Sequence, residues 1–232
     1  MTESRFAAPL FVLLALASCE PRSGAASPRG APTPSVTVLA TTSTAAAEPA
    51  ASDSPPLIIA PSDFERRDLE VQGYLPARLL SPNPRVPGAP VIVITHGAGG
   101  TPEAHCERYA EFVRPRAFLL CTRGVENNRH LPREERGYFY DGHHELGKEL
   151  RAAIAALAAA EGPNVDTARA LFFGYSQGAS MGALALQEGE NARGFVAALF
   201  VEGGTVDWNI ALSKKIAEKG LRRVAMVCGQ PS

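Results

Sequence analysis

The chain has 232 residues, 45% of them hydrophobic and 20% charged, with a formal net charge of −1. This is the composition of an ordinary globular protein with one core. A charge so near zero offers no basic field to gather phosphates and no acidic field to gather cations, so nucleic acid is not expected as a partner and function has to lie in a local site.

Residues 1–19 read as an export signal. Arg5 provides a positive start and Phe6 to Ala17 form an apolar run, too short to span a bilayer, which takes about 20 apolar residues. The run ends in Leu16-Ala17-Ser18-Cys19, which resembles the lipobox of bacterial lipoproteins. That resemblance makes Cys19 the lipidated mature N-terminus and gives the protein a membrane anchor there; a plain secretory signal is the alternative. Both place the domain outside the cytoplasm, in the cell envelope, periplasm or medium.

Residues 20–56 are rich in Pro, Ala, Ser and Thr, with only Val36, Val38 and Leu39 as larger aliphatics. So little apolar surface cannot offset the entropy of ordering, and the segment reads as a disordered tether. Residues 57–232 form the folded domain. Its cysteines are Cys106, Cys121 and Cys228. In an oxidising compartment Cys106 can pair with Cys121, and Cys228 is left over, unless each is a buried free thiol.

Along the domain, Arg67 to Gln72 and Tyr74 to Leu80 suggest an opening antiparallel pair, followed by a turn-rich loop from Ser81 to Pro90. Strand signals without alternation follow at Val91–Thr95, Ala117–Cys121, Ala170–Phe173, Phe195–Val201 and Arg223–Cys228, as for parallel strands covered on both faces. Helices fill the gaps at Thr101–Val113, His144–Ala160, Gln177–Glu188 and Ile210–Lys219. The first has Thr101 as cap and Pro102 at its first position. The second carries an apolar stripe of Leu146, Leu150, Ile154 and Leu157. Strand and helix alternate as in a three-layer, doubly wound, mostly parallel α/β sheet.

Sites in such sheets form at the carboxyl ends of the strands, and two junctions carry the right residues. Gly174-Tyr175-Ser176-Gln177-Gly178 follows an apolar strand and opens a small-residue helix. The five-residue string alone is a weak signal; its position between strand and helix is not, because a nucleophilic serine must stand exposed on that turn, with Gly174 and Gly178 admitting close approach. Thr95-His96-Gly97-Ala98-Gly99-Gly100 lies at the earlier junction, where an oxyanion loop belongs. The backbone N–H groups of Gln177 and Ala98 are the candidate donors to the oxyanion, and Gly97 loosens the loop.

Together these segments resemble the α/β-hydrolase superfamily over about Val71 to Cys228. The Ser-Gln-Gly form is most similar to the phospholipase/carboxylesterase, thioesterase-like branch and to small secreted esterases. The resemblance implies a serine carboxylic-ester hydrolase without metal or cofactor, acting on a small-molecule or lipid-like ester through an acyl-enzyme on Ser176. It also implies a triad in the order serine, acid, histidine. Every histidine here (His96, His105, His130, His143, His144) precedes Ser176. His96 is expected to orient the loop, and His143 and His144 to belong to a loop that shapes the substrate site. Asp207 is a candidate acid and Glu202 a weaker one; the family places its acid after the strand matching Arg223–Cys228. A chain cut short accounts for the missing partners. A non-catalytic, anchored binding protein that kept the fold is the other account.

Overall fold

The computed structural model describes residues 63–113, 115–127, 130–132, 135–206 and 208–229. The export signal at 1–19, the tether at 20–56 and Asp207 lie outside them. Among the described residues, no helix is long and apolar enough to cross a membrane.

Seven strands form one sheet in the order β1-β2-β4-β3-β7-β8-β9. These are β1 (Phe64–Leu69), β2 (Ala77–Pro82), β3 (Ala89–Thr95), β4 (Phe118–Cys121), β7 (Val165–Tyr175), β8 (Phe195–Val201) and β9 (Arg223–Val227), while β5 (Val125–Glu126) and β6 (Tyr138–Phe139) make a separate small ribbon. The β1–β2 and β2–β4 pairs are antiparallel and the others in the large sheet are parallel. The helices are α1 (Pro102–Ala110), α2 (His143–Glu161), α3 (Gln177–Gln187) and α4 (Ile210–Glu218). The doubly wound sheet expected from the sequence is therefore present.

Helices pack on both faces of the sheet. One core gathers Val91, Val93, Leu120 and Phe172 with Leu146, Leu150 and Leu157 of α2 and Ala179, Ala183 and Leu186 of α3. The other packs Phe64, Leu80, Ile94 and Leu119 against Cys106 and Ala110 of α1. Alternate residues of β3 and β4 feed the two sides, which is why these strands read as unbroken apolar runs. Strand β9 departs from that expectation: Arg223, Ala225 and Val227 are exposed, so one of its faces is open among the described residues.

The opening pair forms, with shifted bounds. Pairing runs from Phe64 opposite Pro82 to Leu69 opposite Ala77, and the turn takes up residues 70–76. Within it the Val71 carbonyl accepts the Tyr74 N–H at 3.1 Å while Gly73 has φ +82°. Val71 is buried without being in a strand, so its apolar character misled the reading. Strand β7 is longer than its apolar stretch because its first half, Val165 to Arg169, is polar and half exposed yet still pairs with β3. Ribbon β5–β6 escaped notice because two residues carry no periodicity.

Helix α1 begins as its sequence predicts: Thr101 Oγ1 accepts the Ala104 N–H at 3.2 Å, with Pro102 next in line. Cys106 of this helix is disulfide-bonded to Cys121 of β4, with Cα atoms 6.0 Å apart. Cys228 is not a free thiol either.

Candidate active site

Strand β7 ends at Tyr175 and α3 begins at Gln177 with no connecting loop, so Ser176 alone makes the turn. Its backbone sits at φ 51°, ψ −116°. Such a conformation costs a non-glycine residue about 1–3 kcal/mol and persists only where its surroundings hold it. Here the Ser176 N–H donates to Val201 O at 2.8 Å and its carbonyl accepts the Ser180 N–H at 3.0 Å, pinning the turn to β8 and α3. Close approach explains the flanking glycines. A Cβ on Gly174 would meet Ala179 Cα at 2.6 Å, and one on Gly178 would meet His96 O at 2.6 Å and Thr95 O at 2.7 Å. Ser176 is therefore on a strained strand-to-helix elbow at the carboxyl edge of the sheet, half buried, and its hydroxyl takes no hydrogen bond from the described residues.

The loop after β3 lies against this turn: a Cβ on Gly97 would come 3.1 Å from Ser176 Cβ. Three neighbouring amides are spent. Gly178 N–H donates to His96 O (3.0 Å), Gly99 N–H to Tyr138 O (2.8 Å) and Gly100 N–H to Gly97 O (2.9 Å). The N–H groups of Ala98 and Gln177 have no acceptor among the described residues. Gln177 is also the first residue of α3, where the positive end of the helix dipole favours a developing negative charge.

The histidines do not complete the site. His96 is buried, with Nδ1 2.8 Å from Gly97 O and Nε2 2.9 Å from Arg123 O, and its ring stacks on Tyr140. Desolvation lowers its pKa, which favours the neutral ring. His105 on α1 rests against His96 and Tyr175, with Nδ1 3.2 Å from Thr101 O. Desolvation lowers its pKa too. His143 and His144 correct an expectation. They approach Glu188 at the far end of α3, an 11-residue helix about 16 Å long, so the carboxylate of Glu188 and not Ser176 is their partner.

Of the acid candidates, Asp207 lies outside the described residues. Glu202 directly follows β8 with φ 55° and accepts the Gly229 N–H on Oε1 at 2.7 Å, while its own N–H donates to Val227 O. The next residue, Gly203, abuts the elbow, since a Cβ there would lie 2.6 Å from Ser176 O. Glu202 thus ties the ends of β8 and β9 together beside the turn.

A brace around the oxyanion loop went unnoticed in the sequence. Tyr138 pairs with Gly100 as an antiparallel bridge, and the buried Tyr140 hydroxyl accepts the His96 N–H at 3.2 Å and lies 3.0 Å from Thr122 Oγ1. Burial raises the Tyr140 pKa far above the usual phenol range, so this hydroxyl stays protonated. Behind Tyr138, the Arg123 guanidinium sits 5.0 Å from its ring centre and donates to Glu103 and to Pro76 O. The signal available was the aromatic run Tyr138-Phe139-Tyr140 between Gly137 and Gly142.

No protein-family model and no curated protein matches the chain. Among solved structures it is similar to a dienelactone hydrolase-like promiscuous phosphotriesterase from metagenomic libraries, at 15% identity over 72% of this chain and 68% of that one, with a TM-score of 0.50. A protein of unknown function from Agrobacterium tumefaciens matches at 21% identity, 63% and 83% coverage and a TM-score of 0.39. The fold is that of the α/β-hydrolases.

Proposed function

We propose that this protein is a serine hydrolase of carboxylic esters, with Ser176 as nucleophile and the Ala98 and Gln177 amides as the oxyanion hole. The observation that carries this reading is the strained turn at Ser176 with two unspent N–H groups beside it. A serine held at positive φ between strand and helix is placed to present its hydroxyl to a carbonyl carbon and to aim the following N–H at the oxygen that becomes charged. Attack forms the acyl–Oγ bond as the serine proton passes to a base and the alcohol leaves; water then attacks the acyl-enzyme and releases the acid. The substrate is a small-molecule or lipid-like ester.

The protein is exported in this reading. The Cys106–Cys121 disulfide supports an oxidising compartment, and the lipobox-like Leu16–Cys19 supports a lipid anchor at Cys19.

One observation favours a second reading, an envelope-anchored binding protein without turnover: none of the described imidazoles hydrogen-bonds Ser176. A fluorophosphonate separates the two readings, because it reacts with an activated serine and spares an ordinary one. Protein purified from its native cell should gain one phosphonyl group on Ser176, located by peptide mass mapping, and a Ser176→Ala variant should gain none. A folded native protein that stays unlabelled would overturn the hydrolase reading in favour of the binding protein.

A further inference from the structure

Three side chains with metal-binding chemistry converge where α2 begins and α3 ends. His143 and His144 open α2, and Glu188 caps the C-terminus of α3. Their ligating atoms all lie within 4.8 Å of one another and the two imidazole rings are 4.0 Å apart. Both rings address the same oxygen, Glu188 Oε1, with His143 Nε2 at 3.5 Å and His144 Nδ1 closer. The other oxygen is held from behind: Glu188 Oε2 accepts from Asn191 Nδ2 at 2.8 Å. Asn191 is itself buried and also donates to Ala185 O.

We propose that His143, His144 and Glu188 bind one divalent zinc-class ion that clamps the end of α3 to the start of α2. Two imidazole nitrogens and a carboxylate oxygen are a common zinc donor set, with water taking the fourth place. Donors about 2.0–2.2 Å from a tetrahedral ion are about 3.4 Å apart. Side-chain rotation brings the three atoms to that spacing, opening the His144–Glu188 pair, for which the 70% exposed His144 has room. Asn191 supplies the outer hydrogen bond that metal-binding carboxylates usually have, and the negative end of the α3 dipole favours a cation at Glu188. Adjacent histidines with a glutamate 44 positions later form no sequence motif, so the site shows only in three dimensions. It stands at the opposite end of α3 from Ser176, and its role is to hold the helix.

The test uses untagged protein freed of metal with a chelator and then titrated with zinc chloride, read by native mass spectrometry and calorimetry. One zinc ion should bind with micromolar or tighter affinity, and the thermal midpoint should rise with zinc concentration, as linkage requires. His144→Ala removes a largely exposed ring, and Glu188→Gln keeps an oxygen for Asn191, so both variants should fold. Each should weaken zinc binding at least about ten-fold, and cobalt added in place of zinc should give visible absorption that His144→Ala abolishes. Ser176→Ala should bind zinc like the unaltered protein, which separates this site from the hydrolase reading. Absence of zinc uptake, or uptake unchanged in both variants, would overturn the proposal.

Discussion

The side-chain amide of Gln177 pairs with both backbone groups of Tyr140: Oε1 accepts the Tyr140 N–H at 3.0 Å and Nε2 donates to its carbonyl at 3.2 Å. The residue whose N–H is a candidate oxyanion donor thus also holds, through its side chain, the segment that braces the oxyanion loop. Gln177→Met keeps the N–H and loses both bonds. It should cost about 1–2 kcal/mol in urea unfolding and slow fluorophosphonate labelling of Ser176 about ten-fold, since misplacing a donor weakens its effect without removing it. An unchanged labelling rate would mean that the loop holds its geometry without this pairing.

Glu149 lies at the other side of that brace, buried in α2, with Oε1 accepting the N–H groups of Arg123 and Gly124 at 2.9 Å each. Burial raises its pKa despite these bonds. A carboxyl with a raised folded pKa contributes stability at low pH that is lost as pH rises through that value. Glu149→Gln keeps the accepting oxygen and drops the charge, so its stability should be flatter with pH and equal or exceed that of the unaltered protein at neutral pH. Glu149→Ala leaves two buried N–H groups unpaired and should cost about 3 kcal/mol. Urea melts of the three proteins from acid to neutral pH provide the comparison.

Sheet, helices and elbow were legible because each depends on local rules: continuous apolar strands, a Thr-Pro helix start, glycines flanking a serine. The brace was not, because it is built from backbone bridges between distant segments. Gly100 and Tyr138 carry no pattern that announces their pairing, and Glu149 looks like any polar residue on an amphipathic helix. The position of His143 and His144 in the chain, just after the aromatic run, does not reveal that α2 brings them to Glu188 at the end of α3. Tyr140 sits against Gln177 while the next few residues carry the chain to Glu188.

Glu161, at the end of α2, fastens the antiparallel edge of the sheet. Its 4% exposed carboxylate receives Arg67 at 2.8 Å, Arg85 at 2.9 Å and the Ser81 hydroxyl at 3.3 Å. Burial pushes its pKa up, but the two arginines outweigh burial and hold it below the ordinary value. The sign is opposite to that of Glu149: this contribution is present above the unfolded pKa of about 4.3 and is lost as pH falls through the folded value. Glu161→Gln should cost about 1–3 kcal/mol at neutral pH and show a smaller loss of stability on acidification. Parallel acid titrations of the two proteins, followed by circular dichroism, measure it.

The Cys106–Cys121 bridge closes a loop of 15 residues between α1 and β4, and both cysteines are buried. Constraint of the unfolded chain by such a loop is worth about 3 kcal/mol. A Cys106→Ala/Cys121→Ala pair should be destabilised by about that amount, with α1 exchanging its amide hydrogens faster than α2. Equal exchange in both helices would show that the bridge adds global stability without tethering α1.

Gly178→Ala isolates the contact between the elbow and the oxyanion loop. The added methyl would meet His96 O at 2.6 Å and Thr95 O at 2.7 Å, both backbone atoms that move only if the whole loop moves. The gain in helix propensity, about 1 kcal/mol, does not relieve a clash with two backbone oxygens at a buried position. The loop must therefore back away from Ser176 by several tenths of an ångström, carrying the Ala98 N–H with it. Displacement of about 1 Å at a reacting centre costs on the order of 100-fold in rate. The variant should keep its far-ultraviolet circular dichroism and lose most labelling at Ser176. If labelling survives, the Ala98 amide is not a donor to the oxyanion, and the role falls to Gln177 alone.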